Sequence, residues 1–364
     1  MKYTLQLKTG DAEIRALKFI PHEIYKKDGF ALFVELTRGR KSKKDEIGDF
    51  NKRVKSLKDF LPSQTKIFFD ITSDPNLSNN QIDELFNTAD GYRCWQNLFY
   101  DLKDHFVNSV PMLIYNDEDK DYDNFKVQIE TFARTYNKIG YKIYPSLSHD
   151  IISTELQIIA GIIVSYPATE LFVFYDQGYI VDGLVKIAEE RATHCIGIAS
   201  GLLQNIENVN YILASTSFPD SVTTLSGKTS GVIDCSEVPL FHTVQAGVNP
   251  IQLIYSDYGS ITPKRNDVAA FYSRGWVPRI DVPTDDSKIF YYRRRKETLD
   301  YADVYTLVAK ECIKDNRFPK IDCWGAETIK NAANGMKPGS TPSFWLSVRM
   351  NIFIYQQLIR NNIL

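Results

Sequence analysis

The sequence has few of the side chains that usually announce a chemistry. It holds 5 cysteines, 5 histidines, 4 methionines and 4 tryptophans in 364 residues. Cys94, Cys195, Cys235, Cys312 and Cys323 form no CxxC pair and no Cys/His metal spacing, which excludes a zinc framework and a disulfide scaffold. An odd, scattered set of thiols suits a reducing compartment, so a cytoplasmic location is expected. Net charge is also missing: 43 Lys+Arg face 45 Asp+Glu. Whole-molecule attraction to nucleic acid is thereby excluded, although residues 263–364 carry 17 basic against 11 acidic side chains and form a mildly basic tail. No apolar run approaches the ~18 residues that span a bilayer. The longest apolar helical stretch, Leu156–Val164, reads as a buried helix, and the opening MKYTLQLKTGD enters a strand without a signal-peptide core. GxGxxG, HExxH and GxSxG are absent. SGKTSG imitates a phosphate-binding loop, but its leading glycine position is Val222.

What the chain does have is a rhythm. Eight short apolar runs each end in a polar residue, and a helical pattern follows most of them. They are YTLQLK, ALFVEL, KIFFDI, VPMLIYND, YKIYPSLSH, ELFVFYDQ, NYILASTS and IQLIYSDYG. Their last polar residues are Lys8, Glu35, Asp70, Asn116, His149, Asp176, Ser217 and Asp257. Continuous hydrophobicity over four to seven residues suits strands covered on both faces, as in parallel sheets. Eight of them predict an α/β fold, a (β/α)8 TIM-like barrel, with the polar ends around one mouth. The rhythm is irregular at strands 7 and 8, where GVIDCSEV competes with IQLIYSDYG for the last place. We therefore expect a barrel over residues 1–262 and a C-terminal α+β extension over 263–364 packed on it. In the extension, AAFYSRGWVPRI and KIFYYRRRK predict an antiparallel pair turning at PTDDS. The helix SFWLSVRMNIFIYQQLIRN would close the fold.

Lys8, Glu35, Asp70, Asp176 and Asp257 are the candidate mouth residues. Converging carboxylates suit acid–base work or a hard cation such as Mg²⁺, for which Glu35, Asp70 and Asp176 are the candidate ligands. Strand-end carboxylates also cap helices and hold turns, which is the competing structural role. The loop after strand two carries Arg38, Arg40, Lys41, Lys43 and Lys44. With Lys8 and Tyr258, its Arg38, Arg40 and Lys41 form a candidate anion-binding set, against the plainer reading of a solvated charged loop. Arg293, Arg294 and Arg295 beside three aromatics are nucleic-acid candidates, and charges guarding an edge strand would explain the same letters. His149 is equally a turn residue or a base, and Ser217 has no visible partners as a nucleophile.

Several short motifs, taken in order, resemble the Beta protein family. They are LKTGDAE with Ala16–Leu17, the strand-ending Glu35, Asp70 and Asp176, SFP at Ser217–Pro219, DYG at Asp257–Gly259, RGW at Arg274–Trp276, CWG at Cys323–Gly325 and W-x-x-x-R-x-N at Trp345–Asn351. The sequence departs from the family pattern after SFP, where GVIDCSEV offers Asp234 and Glu237 without an arginine. The family is named after a protein of a satellite phage that accompanies a toxic partner in an anti-phage cassette. The resemblance therefore implies a barrel and a role in phage exclusion, with an effector or toxin as partner. Three functions follow as expectations: recognition of an anionic small molecule or partner protein at the mouth, metal-assisted hydrolysis of a phosphorylated or nucleotide substrate, or nucleic-acid binding.

Overall fold

The structure, a computed structural model, describes residues 1–41, 43, 45–181, 183–219, 229–263 and 275–364. Within these, eight parallel strands form the barrel sheet. In chain order they are β1 (Tyr3–Lys8), β2 (Phe30–Leu36), β3 (Ile67–Ile71), β4 (Ser109–Pro111), β5 (Lys138–Ile143), β6 (Glu170–Tyr179), β7 (Val209–Thr216) and β9 (Leu253–Asp257). Each pairs with its chain neighbour except at the β4–β5 seam and at one other place. There β8 (Ser230–Asp234) leaves the barrel, and β9 pairs with β7 on one side and β1 on the other. The predicted α/β barrel is therefore present, and the eighth strand is the IQLIYSDYG segment. GVIDCSEV fails as a barrel strand because its side chains alternate between buried and exposed, whereas every residue of β9 is buried.

The last seam, between β4 and β5, closes through a single bridge. Met112 faces Gly140 there, and the Leu113 N–H donates to the Gly140 carbonyl at 2.7 Å. Glycine is required at this position because a β-carbon on residue 140 would stand 2.1 Å from the Met112 sulfur. Alternation along each strand sends one set of side chains to the surrounding helices and the other into the barrel. The inward set forms an apolar floor separate from the main core, in which Phe33, Phe68, Phe172 and Phe174 meet edge to face at 4.9 Å.

Helices α1 (Asp11–Lys18), α2 (Phe50–Lys58), α3 (Asn80–Asp83), α4 (Ala89–His105), α5 (Asp123–Tyr136), α6 (His149–Ile163), α7 (Val185–Leu202) and α8 (Glu237–Gly247) follow the strands in turn. None of the helices among the described residues is long and apolar enough to cross a membrane. Beyond β9, β10 (Arg279–Pro283) and β11 (Lys288–Arg293) form the predicted antiparallel pair, with Thr284 bonded across the turn to Lys288. The start of AAFYSRGWVPRI lies outside the described residues. Because β8 pairs with the other side of β11, β11 is a central strand and not the expected edge. Helices α9 (Tyr301–Lys314), α10 (Trp324–Ala333) and α11 (Pro342–Arg360) complete the chain, and α11 packs against α1 and β1 in the barrel's helical ring.

The barrel closure yields one expectation. Gly140→Ala should lower stability by about 1–3 kcal/mol through the clash with Met112. Adding Met112→Ala should return part of that loss. Urea unfolding of the two variants checks it, and equal stability of Gly140→Ala and wild type would discount the close approach.

Candidate functional site

Parallel pairing aligns Lys8 with Glu35 and Glu35 with Asp70, so three charged side chains stand in one rung on adjacent strands. They point into the barrel above the phenylalanine floor. Two carboxylates directly opposite each other on neighbouring strands repel, and two ammonium groups offset this. Lys8 Nζ lies 2.5 Å from Glu35 Oε1. Lys142, from β5, reaches across the barrel to pair with Asp70 Oδ2, and both side chains are almost fully buried. The Lys142 ammonium also sits 4.7 Å from the Phe33 ring centroid and 4.8 Å from that of Tyr144. On the remaining side, Tyr258 Oη donates to Asp176, 2.6 and 2.5 Å from its two oxygens, and the Gly178 N–H donates to Asp176 Oδ1 at 3.0 Å. A bulge between Asp176 and Gly178 lets β6 make that turn.

The charge states follow from these contacts. Burial opposes ionisation of Glu35, but Lys8 and Lys142 overcome it and hold the carboxyl at about 2. Burial would likewise weaken the Lys142 ammonium, yet Asp70, with Tyr144, Glu35 and Asp176, keeps it protonated well above the ordinary lysine range. Burial raises Asp70 and Asp176 above the usual carboxylate range, and the nearby Lys142 limits the rise. Tyr258 is raised by burial and by the Asp176 carboxylate it contacts, so it stays a phenol. Among the described residues, no group of three His, Cys, Asp or Glu side chains is arranged to hold a metal ion. Lys8 pairs with Glu35 and Lys142 with Asp70, so an ammonium already faces each of these two carboxylates.

Lys8, Glu35, Asp70, Asp176 and Tyr258 thus meet inside the barrel, whereas Asp257 does not join them. It pairs in register with Leu5, on the outward-facing set of β1. Its Oδ1 accepts from Tyr3 Oη at 2.9 Å and from the Gly259 N–H at 2.8 Å, while Oδ2 is buried without a partner. Burial pushes this carboxyl up to about 7, with the nearby Glu237 adding to the rise. Ser217 donates to Glu237 Oε2 at 2.5 Å beside this second buried polar group, as a structural contact.

Arg38 is buried, and its guanidinium donates to the carbonyls of Asn76 and Gly39, tying the loops after β2 and β3 together. Arg40, Lys41 and Lys43 are exposed on the same loop; Lys44 lies outside the described residues. His149 opens α6 instead of ending a strand, and its ring lies 4.7 Å from that of His194. Asn116 sits beyond β4 and bonds the Phe86 carbonyl. Arg293 ends β11, while Arg294 and Arg295 follow it, exposed and away from the carboxylate layer's strands.

Lys142 and Tyr144 were missed in the sequence. Their signal is parity: Gly140, Lys142 and Tyr144 alternate with the outward Ile139, Tyr141 and Ile143.

The later motifs hold the ring together. The Asn351 carbonyl oxygen accepts from the Gly325 N–H at 2.9 Å, and its amide donates to the Ala16 carbonyl at 3.2 Å, linking α10, α11 and α1. Trp345 stacks on Tyr305 with ring centroids 4.9 Å apart. Trp276 stacks on Tyr301, and Arg274 of the same motif lies outside the described residues.

A family model described as Beta protein matches residues 3–359. No curated protein and no solved structure matches the chain.

Asp257 generates a pH prediction. Its folded value of about 7 stands above the ordinary 3.8, so the native state favours the protonated acid. Its stabilising contribution is complete below pH ~4 and is lost as pH rises towards 7, by up to about 4 kcal/mol. Asp257→Asn keeps the acceptor oxygen and removes the titration. The variant should gain on wild type in thermal melts as pH increases from 4 to 8, and parallel melting curves across that range would refute the assignment.

Proposed function

Since the chain belongs to the Beta protein family, we propose that it acts by non-covalent recognition at the barrel mouth, in defence against phage, taking an anionic small molecule or an acidic segment of an effector or toxin partner. One observation carries the choice of binding over catalysis: Glu35 and Lys142 are held charged by their partners, in states that serve proton transfer and nucleophilic attack poorly. Glu35 remains ionised down to about pH 2 and is no general acid near neutrality. Lys142 stays an ammonium and is no amine nucleophile. The carboxylates are spent on ammonium and phenol partners at hydrogen-bond distance.

The internal pairing also bears on which side would face an anion. Two lysines set against three carboxylates leave no net positive charge in the lumen, so attraction falls to the exposed Lys41 and Lys43 on the rim. The arrangement is a rigid, self-satisfied base beneath a cationic edge. Such an edge favours encounter with an acidic surface and makes the association salt-dependent.

The test is calorimetric titration with tripolyphosphate and, separately, with Mn²⁺. Tripolyphosphate should bind, with affinity that falls at higher salt, and the charge reversals Lys41→Glu and Lys43→Glu together should weaken it at least tenfold. Mn²⁺ binding that disappears in Asp70→Asn would overturn this reading in favour of metal-assisted hydrolysis. Undetectable tripolyphosphate binding would remove the anion half of the proposal.

A further inference from the structure

A second set of charges lies where the barrel meets the appended sheet. Asp281 of β10 receives two guanidinium groups: Arg279 Nε donates to its Oδ1 at 2.5 Å, and Arg349 Nη1, from α11, donates to its Oδ2 at 2.9 Å. Both arginines are more than nine-tenths buried, with side-chain exposures of 8% and 6%. One carboxylate therefore faces two permanent cations, and among the described residues neither arginine has another anionic partner. Three of their nitrogen atoms, Arg279 Nη1 and Nη2 and Arg349 Nε, are buried without a hydrogen-bond acceptor. Arg279 Nη2 lies 2.5 Å from Asp281 Oδ1 but at an angle that makes no hydrogen bond.

One face of each guanidinium plane is covered by an aromatic ring. Arg349 stacks 3.7 Å from the centroid of Phe218, which follows β7, and Arg279 stacks 3.9 Å from that of Tyr291 on β11. The N–H edges are left for a further contact. Edge-on donors in a planar fork match oxygen pairs of phosphate or carboxylate groups. A buried cation in excess, with unsatisfied donors, is a costly arrangement that a bound anion relieves.

We propose that Arg279 and Arg349 form an oxyanion site at the seam between barrel and appended sheet, taking a phosphate or carboxylate group of a small ligand. Asp281 positions the two forks, and Phe218 and Tyr291 fix their planes. The site is distinct from the mouth layer of Lys8 and Lys142, and it uses the arginine of the W-x-x-x-R-x-N segment.

Isothermal titration with inorganic phosphate and, in parallel, with succinate tests it and separates the two ligand chemistries. Saturable binding of either one should occur in the full chain. Arg279→Gln should abolish it, and Arg279→Lys, which keeps the charge but loses the fork, should weaken it about tenfold. Asp281→Asn should tighten it and make the melting temperature rise with ligand concentration. Lys41→Glu with Lys43→Glu should leave it unchanged, which keeps its fate separate from that of the mouth. Absence of saturable binding of both ions, or binding that survives Arg279→Gln, would overturn the proposal. Should Arg279→Gln fail to fold, the Arg279→Lys and Asp281→Asn responses decide, and no change in either would overturn it equally.

Discussion

The pairing of Lys142 with Asp70 across the barrel is the contact on which the upper layer depends. It joins β3 to β5 over the β4 seam, where the sheet itself closes through only one bridge. It also neutralises a carboxylate that parallel register forces beside Glu35. Without that ammonium, two buried carboxylates would stand on adjacent strands with Lys8 alone to serve them. Removing one partner of such a pair leaves a buried charge uncompensated and typically costs about 3–5 kcal/mol. The phenylalanine floor contributes as well, because the face of Phe33 supports the ammonium from below. Apolar packing and ion pairing are thus one construction: the floor excludes water, and the exclusion strengthens the pairs above it.

Much of this was legible in the letters because a barrel strand is readable at two levels. Continuous apolar character announced the strands, and the barrel elements overlap the runs YTLQLK to IQLIYSDYG, although β5 begins at Lys138, three residues ahead of YKIYPSLSH. Glu35, Asp70 and Asp176 were found because each is the acidic residue that closes an apolar run. Asp257 misled for a definite reason: β9 ends on an outward residue, and the inward position belongs to Tyr258, one residue later. Position in a run predicts nearness to the mouth, while parity decides whether a side chain enters it. Lys142 was obscured by the opposite circumstance. It lies inside a run whose apparent end was drawn forward to His149, although β5 stops at Ile143.

The C-terminal segment was less legible because its meaning depends on distant partners. Nothing local says that Asn351 will bond Gly325 and Ala16, or that Arg349 and Arg279 will share one aspartate. A three-stranded sheet assembled from residues 230–234 and 279–293 is a non-local feature, and β8 reads as a barrel strand until its partner β11 is known. The short motifs carry this information in compressed form. Glycine in CWG is obligatory because a β-carbon at 325 would stand 2.5 Å from the Val348 carbonyl oxygen. That close approach of α10 to α11 lets the Gly325 amide reach Asn351.

A barrel could fill its upper lumen with aliphatic side chains, and apolar replacements of buried ion pairs are often neutral or stabilising. This chain instead places two lysines, three carboxylates and two tyrosines there, and a further arginine pair at the seam beside it. The Phe33, Phe68, Phe172 and Phe174 layer packs the lumen below, and the Lys142–Asp70 pair spans the weakly bridged seam above it. The mouth pairs fix ammonium and carboxylate positions within a rigid ring, so a ligand of the kind proposed would meet groups that need no reorganisation. The arginine pair is tied to the same ring through Phe218, which continues β7, and through α11, which packs on α1. Both polar groups consequently share one scaffold, in which β7, β9 and α11 meet.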